Sequence, residues 1–221
     1  MSIIWTSEEI NKVIKIDNKN TFFIKGLEID SRKVKVGDLF CAMPGSIKDG
    51  HDFISKAFNK GAVAALATNK LLKNNYQPIL IVKSVPKALN DIAREARKRT
   101  CAKIIAITGS VGKTGTKEML KSALDKFGVI HASKDSLNNH VGVPLSLARM
   151  PISTNYSILE LGMNKSGEIA NLTKIVKPHI AIITSIEKAH FENFSSIEDI
   201  AKAKAEIFLG LKSPAIAIIN R

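Results

Sequence analysis

The segment that most constrains this chain is Lys103–Leu120, KIIAITGSVGKTGTKEML, in which a β-branched apolar run gives way to small residues and then to a helix-forming pattern. The run predicts a buried strand over 103–108, and the pattern after it a helix over 113–127, with a tight loop between them. Gly109 and Gly112 permit backbone conformations and close approaches that a Cβ would block, so successive N–H groups of Thr108, Gly109, Ser110, Val111, Gly112, Lys113 and Thr114 can converge on phosphate oxygens. The positive end of the helix adds to the same spot. Lys113 suits the β- and γ-phosphates, and the Thr114 hydroxyl suits Mg²⁺. Ile107 stands where the strict pattern GxxxxGK[ST] has its first glycine, so the match is to the shorter form TGxxGKT. The expected ligand is ATP or another triphosphate; the competing reading is a chance glycine turn between a strand and a helix.

Around this segment the chain alternates. From Lys103 onward strands are predicted at 103–108, near Val129, and at 156–161, 180–185 and 215–219. Helices are predicted at 113–127, after Pro144, and at 166–176 and 196–209. Such alternation implies a mainly parallel sheet flanked by helices, with ligands beyond the C-terminal strand ends. Residues 1–99 form a smaller α/β region. Thr6-Ser-Glu-Glu is a capping pattern for a short helix, and Gly37–Met43 reads as a turn and a strand. A helix at 52–60 closed by Gly61 precedes strands at 62–67 and 79–82, which are separated by a polar loop holding Asn74-Asn75. A helix opens at Pro86, and Arg94–Arg99 reads as its solvated face. The expected domains are therefore 1–99 and 100–221, the second a mainly parallel sheet of the phosphate-loop type with flanking helices.

Composition removes several function classes. The net charge of +13 divides into +8 over residues 1–102 and +5 over 103–221; an excess so spread, without aromatic interleaving, lacks the focused basic face of a nucleic-acid reader. No apolar run reaches membrane-spanning length. The N-terminal residues are acidic where a secretion signal is basic, so the cytoplasm is expected. Cys41 and Cys101 lack metal spacing and are expected to be buried thiols.

If the loop follows the first strand of the sheet, metal ligands belong at the ends of its neighbours. Glu160 ends the apolar run Tyr156-Ser-Ile-Leu-Glu, where a carboxylate can bind Mg²⁺ beside phosphates; a solvent-facing Glu is the alternative. Ile180–His190 leads from a buried strand into a loop holding Glu187 and His190.

Four features fall in one order: Thr108–Thr114; Leu137-Asn-Asn-His-Val-Gly-Val-Pro144; Glu160-Leu-Gly-Met-Asn-Lys-Ser-Gly-Glu-Ile-Ala170; and His190-Phe-Glu-Asn-Phe with Ala201-Lys-Ala-Lys-Ala-Glu-Ile-Phe208. That order resembles the Mur ligase family. Residues 26–66, with Gly26–Phe40 and Gly50-His-Asp-Phe53, resemble the family's UDP-sugar-binding domain. The resemblance implies an ATP-driven amide ligase of peptidoglycan synthesis, with ATP and Mg²⁺ as cofactors. Its implied substrates are UDP-N-acetylmuramoyl-tripeptide and D-alanyl-D-alanine, joined through an acyl phosphate. It further implies catalytic roles for Lys113, His190 and Lys204, and metal ligation by Thr114, Glu160, His190 and, if carbamylated, Lys204. Ser31, Arg32 and Ser46 are implied for the UDP moiety, and Asn138 and Asn139 for the substrate side. The competing readings are a solvated lysine for Lys204, a strand-to-turn cap for Ser31 and Arg32, and a turn-forming pair for the asparagines.

Members of the family continue through the rest of the central domain and a third domain, and residues 1–221 match only the first domain and part of the second. A split gene, with a separately encoded C-terminal portion as partner, a truncated reading frame and a deliberately shortened chain would all give this match. The alternatives are a binding fragment without turnover, or another ligase of the superfamily, either the one adding the third peptide residue or a folylpolyglutamate synthase. A nucleic-acid ATPase is the remaining alternative, and the spread charge weighs against it.

Overall fold

The computed structural model of the chain describes residues 2–68, 77–134, 137–187 and 193–220. These form two compact units, Met1–Glu95 and Ala96–Arg221. The predicted polar loop at Asn74-Asn75 lies outside the described residues.

In the first unit, Thr6 opens helix α1 (Ser7–Ile14) with a reciprocal cap. Its hydroxyl accepts the Glu9 N–H at 3.2 Å, and the Glu9 carboxylate accepts the Thr6 N–H at 2.7 Å. Strand β1 (Trp5–Thr6) pairs antiparallel with β2 (Phe23–Ile24). Strands β3 (Gly26–Glu28), β4 (Asp38–Cys41), β5 (Ala64–Ala67) and β6 (Ile79–Ile81) make a wholly parallel four-stranded sheet in that order. Alternate residues of β4 and β5, among them Phe40, Ala65 and Ala67, pack with Ile54, Ala57 and Phe58 of helix α2 (Ile54–Asn59). The small side chains of β5 suit a strand buried on both faces. Helix α3 (Val85–Arg99) crosses the division between the units.

The second unit is built on five parallel strands in the order β11-β10-β7-β9-β8. Strand β7 (Lys103–Thr108) is central, between β9 (Tyr156–Glu160) and β10 (Ile180–Ile183); β8 (Ile130–Ala132) and β11 (Ile216–Ile219) are the edges. Helices α4 (Lys113–Leu124), α5 (Gly142–Ala148), α6 (Glu168–Val176) and α7 (Ile197–Ala205) connect them. Ile105, Ile107, Ile158 and Ile182 form the core on one face, with Leu120 and Leu124 of α4 packed against it.

Three expectations are corrected. Helix α5 begins at Gly142, before Pro144, because a proline in the first turn lacks an N–H that would have no acceptor there anyway. Cys41 is buried, but Cys101 is exposed, since it lies in the short link between α3 and β7. The run Arg94–Arg99 is not simply solvated. Arg97 turns back, donating from Nε to the Val176 carbonyl at 2.8 Å and from Nη2 to the Lys177 carbonyl at 2.9 Å, where α6 ends and needs donors. Among the described residues no helix is long and apolar enough to cross a membrane.

Candidate functional site

All strands of the second unit run the same way, so their C-terminal ends share one edge, and the glycine loop leaves the middle strand at that edge. Pairing brings Ile107 level with Glu160 on one side and Thr108 level with Ile183 on the other. The loop thus sits between the end of β9 and the segment Thr184–Glu187 that follows β10.

The loop is braced by that segment. Ser110 N–H donates to the Ser185 carbonyl at 2.9 Å, and Val111 N–H to Ser185 Oγ at 3.0 Å. Thr184 Oγ1 donates to the Val111 carbonyl at 2.5 Å, and Ser110 Oγ accepts the Glu187 N–H at 3.0 Å. Gly109 has φ +152°, and a Cβ there would fall 1.9 Å from Thr184 Oγ1, which only glycine avoids. Gly112, at φ +87°, turns the chain into α4, whose first-turn N–H groups have no intrahelical acceptor and point outward from the helix start. Lys113 folds over the loop, donating from Nζ to the Gly109 carbonyl at 2.6 Å and to Ser110 at 3.3 Å. Burial lowers its pKa, against the pull of the Glu160 charge. A cradle of backbone donors at a helix N-terminus, closed by a lysine, can hold a polyphosphate.

Thr114 Oγ1 donates to Glu160 Oε2 at 3.3 Å. Glu160 is 2% exposed. Its other oxygen, Oε1, lies 3.1 Å from Lys117 Nζ in a buried ion pair. For Lys117, burial works to lower the pKa, but the Glu160 carboxylate, with Glu118 behind it, outweighs burial, and the pKa is raised. The residues fit a small divalent cation. Two ligands at right angles, each about 2.1 Å from Mg²⁺, are about 3.0 Å apart, close to the separation of Thr114 Oγ1 and Glu160 Oε2. Among the described residues no group of three or more His, Cys, Asp or Glu side chains gathers that could hold a metal by itself, so phosphate oxygens or water would complete the shell.

Lys204, on α7, is 2% exposed, whereas Lys202 is exposed. Burial, with the Lys113 charge adding to it, pulls the Lys204 pKa down to about 8. His190 lies outside the described residues. Asn139 Oδ1 accepts the N–H groups of Val141 at 3.1 Å and Gly142 at 2.8 Å, so it serves the start of α5. The Asn138 carbonyl accepts Gly162 N–H at 2.7 Å, which sets the 137–139 loop beside the end of β9.

In the first unit Ser31 is buried, while Ser46 is exposed. Arg32 is held by Asp30: Nε donates at 3.0 Å and Nη2 at 2.8 Å, which leaves Nη1 outside the pair. The same contact holds the Asp30 carboxyl down at about 2. His51 of the Gly50–Phe53 motif is tied between Asp49 Oδ1 at 2.5 Å and the Thr68 N–H, which donates to Nε2 at 2.9 Å.

Sequence reasoning missed Lys117, Thr184, Ser185 and Glu206. Glu206, within the AKAKAEIF string, accepts from Gly167 N–H at 2.7 Å and Ala170 N–H at 2.9 Å, joining that string to the ELGMNKSGEIA string. The proximity of two unusual strings to one sheet edge was the available signal.

The sequence profile of the Mur ligase middle domain matches residues 107–221, and that of the Mur ligase family, catalytic domain, matches residues 23–97. The chain is 43% identical over 218 residues to a UDP-N-acetylmuramoyl-tripeptide--D-alanyl-D-alanine ligase of Rickettsia prowazekii (strain Madrid E), covering 99% of this chain and 48% of that protein. Among solved structures, it resembles MurF from Acinetobacter baumannii with a TM-score of 0.83 and 32% identity, over 97% of this chain and 48% of that one. It also resembles MurF ligase from Thermotoga maritima in complex with ADP, with a TM-score of 0.74 and 34% identity, over 88% and 45%. The chain spans about half the length of the curated relatives it matches, 48% for the Rickettsia protein.

Proposed function

The chain belongs to the Mur ligase family, and from that premise we propose that it supplies the substrate-binding and phosphate-binding parts of an ATP-dependent ligase that joins D-alanyl-D-alanine to UDP-N-acetylmuramoyl-tripeptide. The single observation that carries the reading is the contact of Thr114 with Glu160 beside the glycine loop, a polyphosphate cradle with an adjoining cation seat. Residues 1–99 take the UDP-muramoyl peptide, residues 100–221 the nucleotide, and the step belongs to peptidoglycan precursor synthesis in the cytoplasm.

In the reaction, a carboxylate oxygen of the tripeptide forms a bond to the γ-phosphorus of ATP while the bond to the β–γ bridging oxygen breaks, giving an acyl phosphate and ADP. The amine of D-alanyl-D-alanine then attacks the acyl carbon, phosphate departs with the C–O electron pair, and the nitrogen gives up a proton. The work required of the protein is alignment of anions and neutralisation of phosphoryl charge. The N–H groups of Gly109, Gly112 and the first turn of α4 bind the phosphates, those of Ser110 and Val111 being donated to Ser185 instead, and Lys113 exchanges its carbonyl contacts for phosphate oxygens. Mg²⁺, held by Thr114 and Glu160, supplies positive charge at the phosphates when bound. Lys204 as a carbamate would, with His190, hold a second cation, as the resemblance implies; its burial supports Lys204 over the exposed Lys202. Ser31, Arg32 through Nη1, and Ser46 recognise the UDP moiety, and Asn138 and Asn139 line the substrate side.

A second reading is that residues 1–221 by themselves bind nucleotide and UDP-substrate without turnover, the chain spanning 48% of the Rickettsia relative. Calorimetry with ATP–Mg²⁺ and with UDP-muramoyl-tripeptide, run beside a phosphate-release assay, separates the two. Binding with turnover supports the first and binding without turnover the second; turnover only with a folate, or only with the amino acid of the third peptide position, refutes the substrate assignment.

A further inference from the structure

Lys117 is the one lysine of α4 that is almost wholly buried, at 3% exposed. It lies three residues after Thr114, on the same face of the helix. Its ammonium donates to the Ser133 carbonyl at 3.0 Å and faces Glu160 Oε1 at 3.1 Å and Glu118 Oε1 at 3.3 Å. Ser133 in turn fixes the backbone of Glu160: Ser133 Oγ accepts the Glu160 N–H at 3.0 Å and donates to the Ile158 carbonyl at 3.4 Å. One carboxylate oxygen is thus covered by a lysine, and the other, Oε2, is turned toward Thr114. Stability alone does not ask for this arrangement, because a buried ion pair is often matched or bettered by apolar side chains of similar volume.

Cations differ in what they need from a carboxylate. Ca²⁺ takes six to eight oxygens and readily uses both oxygens of one carboxylate, whereas Mg²⁺ prefers an octahedron and one oxygen from each ligand. We propose that Lys117 is a positioning residue that sets cation specificity: by covering Oε1 it makes Glu160 a one-oxygen ligand and so favours Mg²⁺ over Ca²⁺. This rests on the reading of the glycine loop as a nucleotide site with a cation at Thr114 and Glu160.

The test is calorimetric titration of the chain with ADP at a series of Mg²⁺ or Ca²⁺ concentrations, with thermal melts to establish folding. Lys117→Met is expected to shrink the preference for Mg²⁺ over Ca²⁺ by about tenfold, while affinity for cation-free ADP stays within about twofold. Because both cations carry the same charge, the ratio is insensitive to loss of the lysine's charge as such. Glu118→Gln, at an exposed carboxylate, is expected to leave the ratio unchanged. An unchanged ratio in Lys117→Met, or an equal shift in Glu118→Gln, overturns the inference. If the wild-type chain binds no ADP with either cation, the nucleotide reading itself fails, a result distinct from binding without a Lys117 effect. Should Lys117→Met not fold, a crystal structure of the wild-type chain with ADP and Mg²⁺ decides. Lys117 is expected on Oε1 with the cation on Oε2 alone; a Glu160 bound through both oxygens, or a displaced Lys117, refutes the assignment.

Discussion

The carboxylate of Glu206, just past the end of α7, accepts the backbone N–H of Gly167 at 2.7 Å and so closes the N-terminus of α6 from outside that helix. The same side chain takes Ala170 N–H at 2.9 Å and Ser166 Oγ at 3.0 Å. The negative group sits at the positive helix end, where the dipole favours it, and Gly167, at φ +86°, has no side chain with which to cap α6 itself.

Glu206→Ala therefore leaves first-turn donors without their partner and is expected to destabilise the fold by about 2 kcal/mol, the scale of hydrogen bonds to a charged group. Urea denaturation measures the loss, and amide exchange should quicken at Gly167 and Ala170 before it does in β7. Glu206→Gln is expected to fall between the two.

Gly109→Ala places a Cβ against Thr184 Oγ1 at a φ that alanine avoids. Since the loop is braced by Thr184 and Ser185, the clash displaces the cradle while leaving the Ile105, Ile107, Ile158 and Ile182 core untouched. ADP affinity by calorimetry is expected to drop at least about tenfold, with a melting temperature changed by only about 3 °C.

His131, on β8, is half-buried, and its Nε2 is 2.7 Å from the Ser146 carbonyl of α5. Burial, helped by the charges of Arg149 and Lys134 and opposed by the Ser146 bond, pushes its pKa down to about 4. A histidine depressed below its unfolded value of about 6.5 contributes stability that is fully present above that value and is lost as pH falls toward 4. Chemical denaturation between pH 7 and 4 should show a decline on the order of 3 kcal/mol from this group. His131→Gln, which cannot titrate, should flatten that part of the profile.

Lys204 carries the opposite lesson. With its pKa pulled down to about 8, its charged form is disfavoured in the fold, so at pH 7 the ammonium costs stability and the cost fades as pH rises through 8. Lys204→Met is expected to raise stability at pH 7 by on the order of 2 kcal/mol while removing the amine the ligase reading requires. With ¹³C-bicarbonate at pH 8, a carbamate carbon signal should appear in the wild-type chain and be missing from Lys204→Met; no signal in either would count against Lys204 as a carbamate ligand.

Local patterns made much of this legible. The Thr6 cap, the strand before Gly109, the start of α4 and the placement of Glu160 at a strand end are written in neighbouring residues, because capping, glycine turns and buried strands depend on interactions a few positions apart. Arg97 and Asn139 were harder. A basic helix end and an asparagine carry the same letters whether they face solvent, a ligand or a backbone group; the Arg97 guanidinium serves the end of α6, and the Asn139 carboxamide oxygen serves the start of α5. The Cys101 position likewise turned on a three-residue link whose exposure no composition reveals.

What the amino-acid order determined by itself is the succession of strands and helices, the glycine loop and the family strings, since each follows from periodicity or from chemistry confined to one short stretch. What only the tertiary structure decided is which side chains share a space: Lys117 with Glu160, Thr184 with Gly109, Glu206 with Gly167. Those pairs lie 39 to 75 residues apart in the chain, and they meet because parallel strand pairing puts distant strand ends and helix starts on one edge, a relationship set by sheet order and register and not by any local pattern.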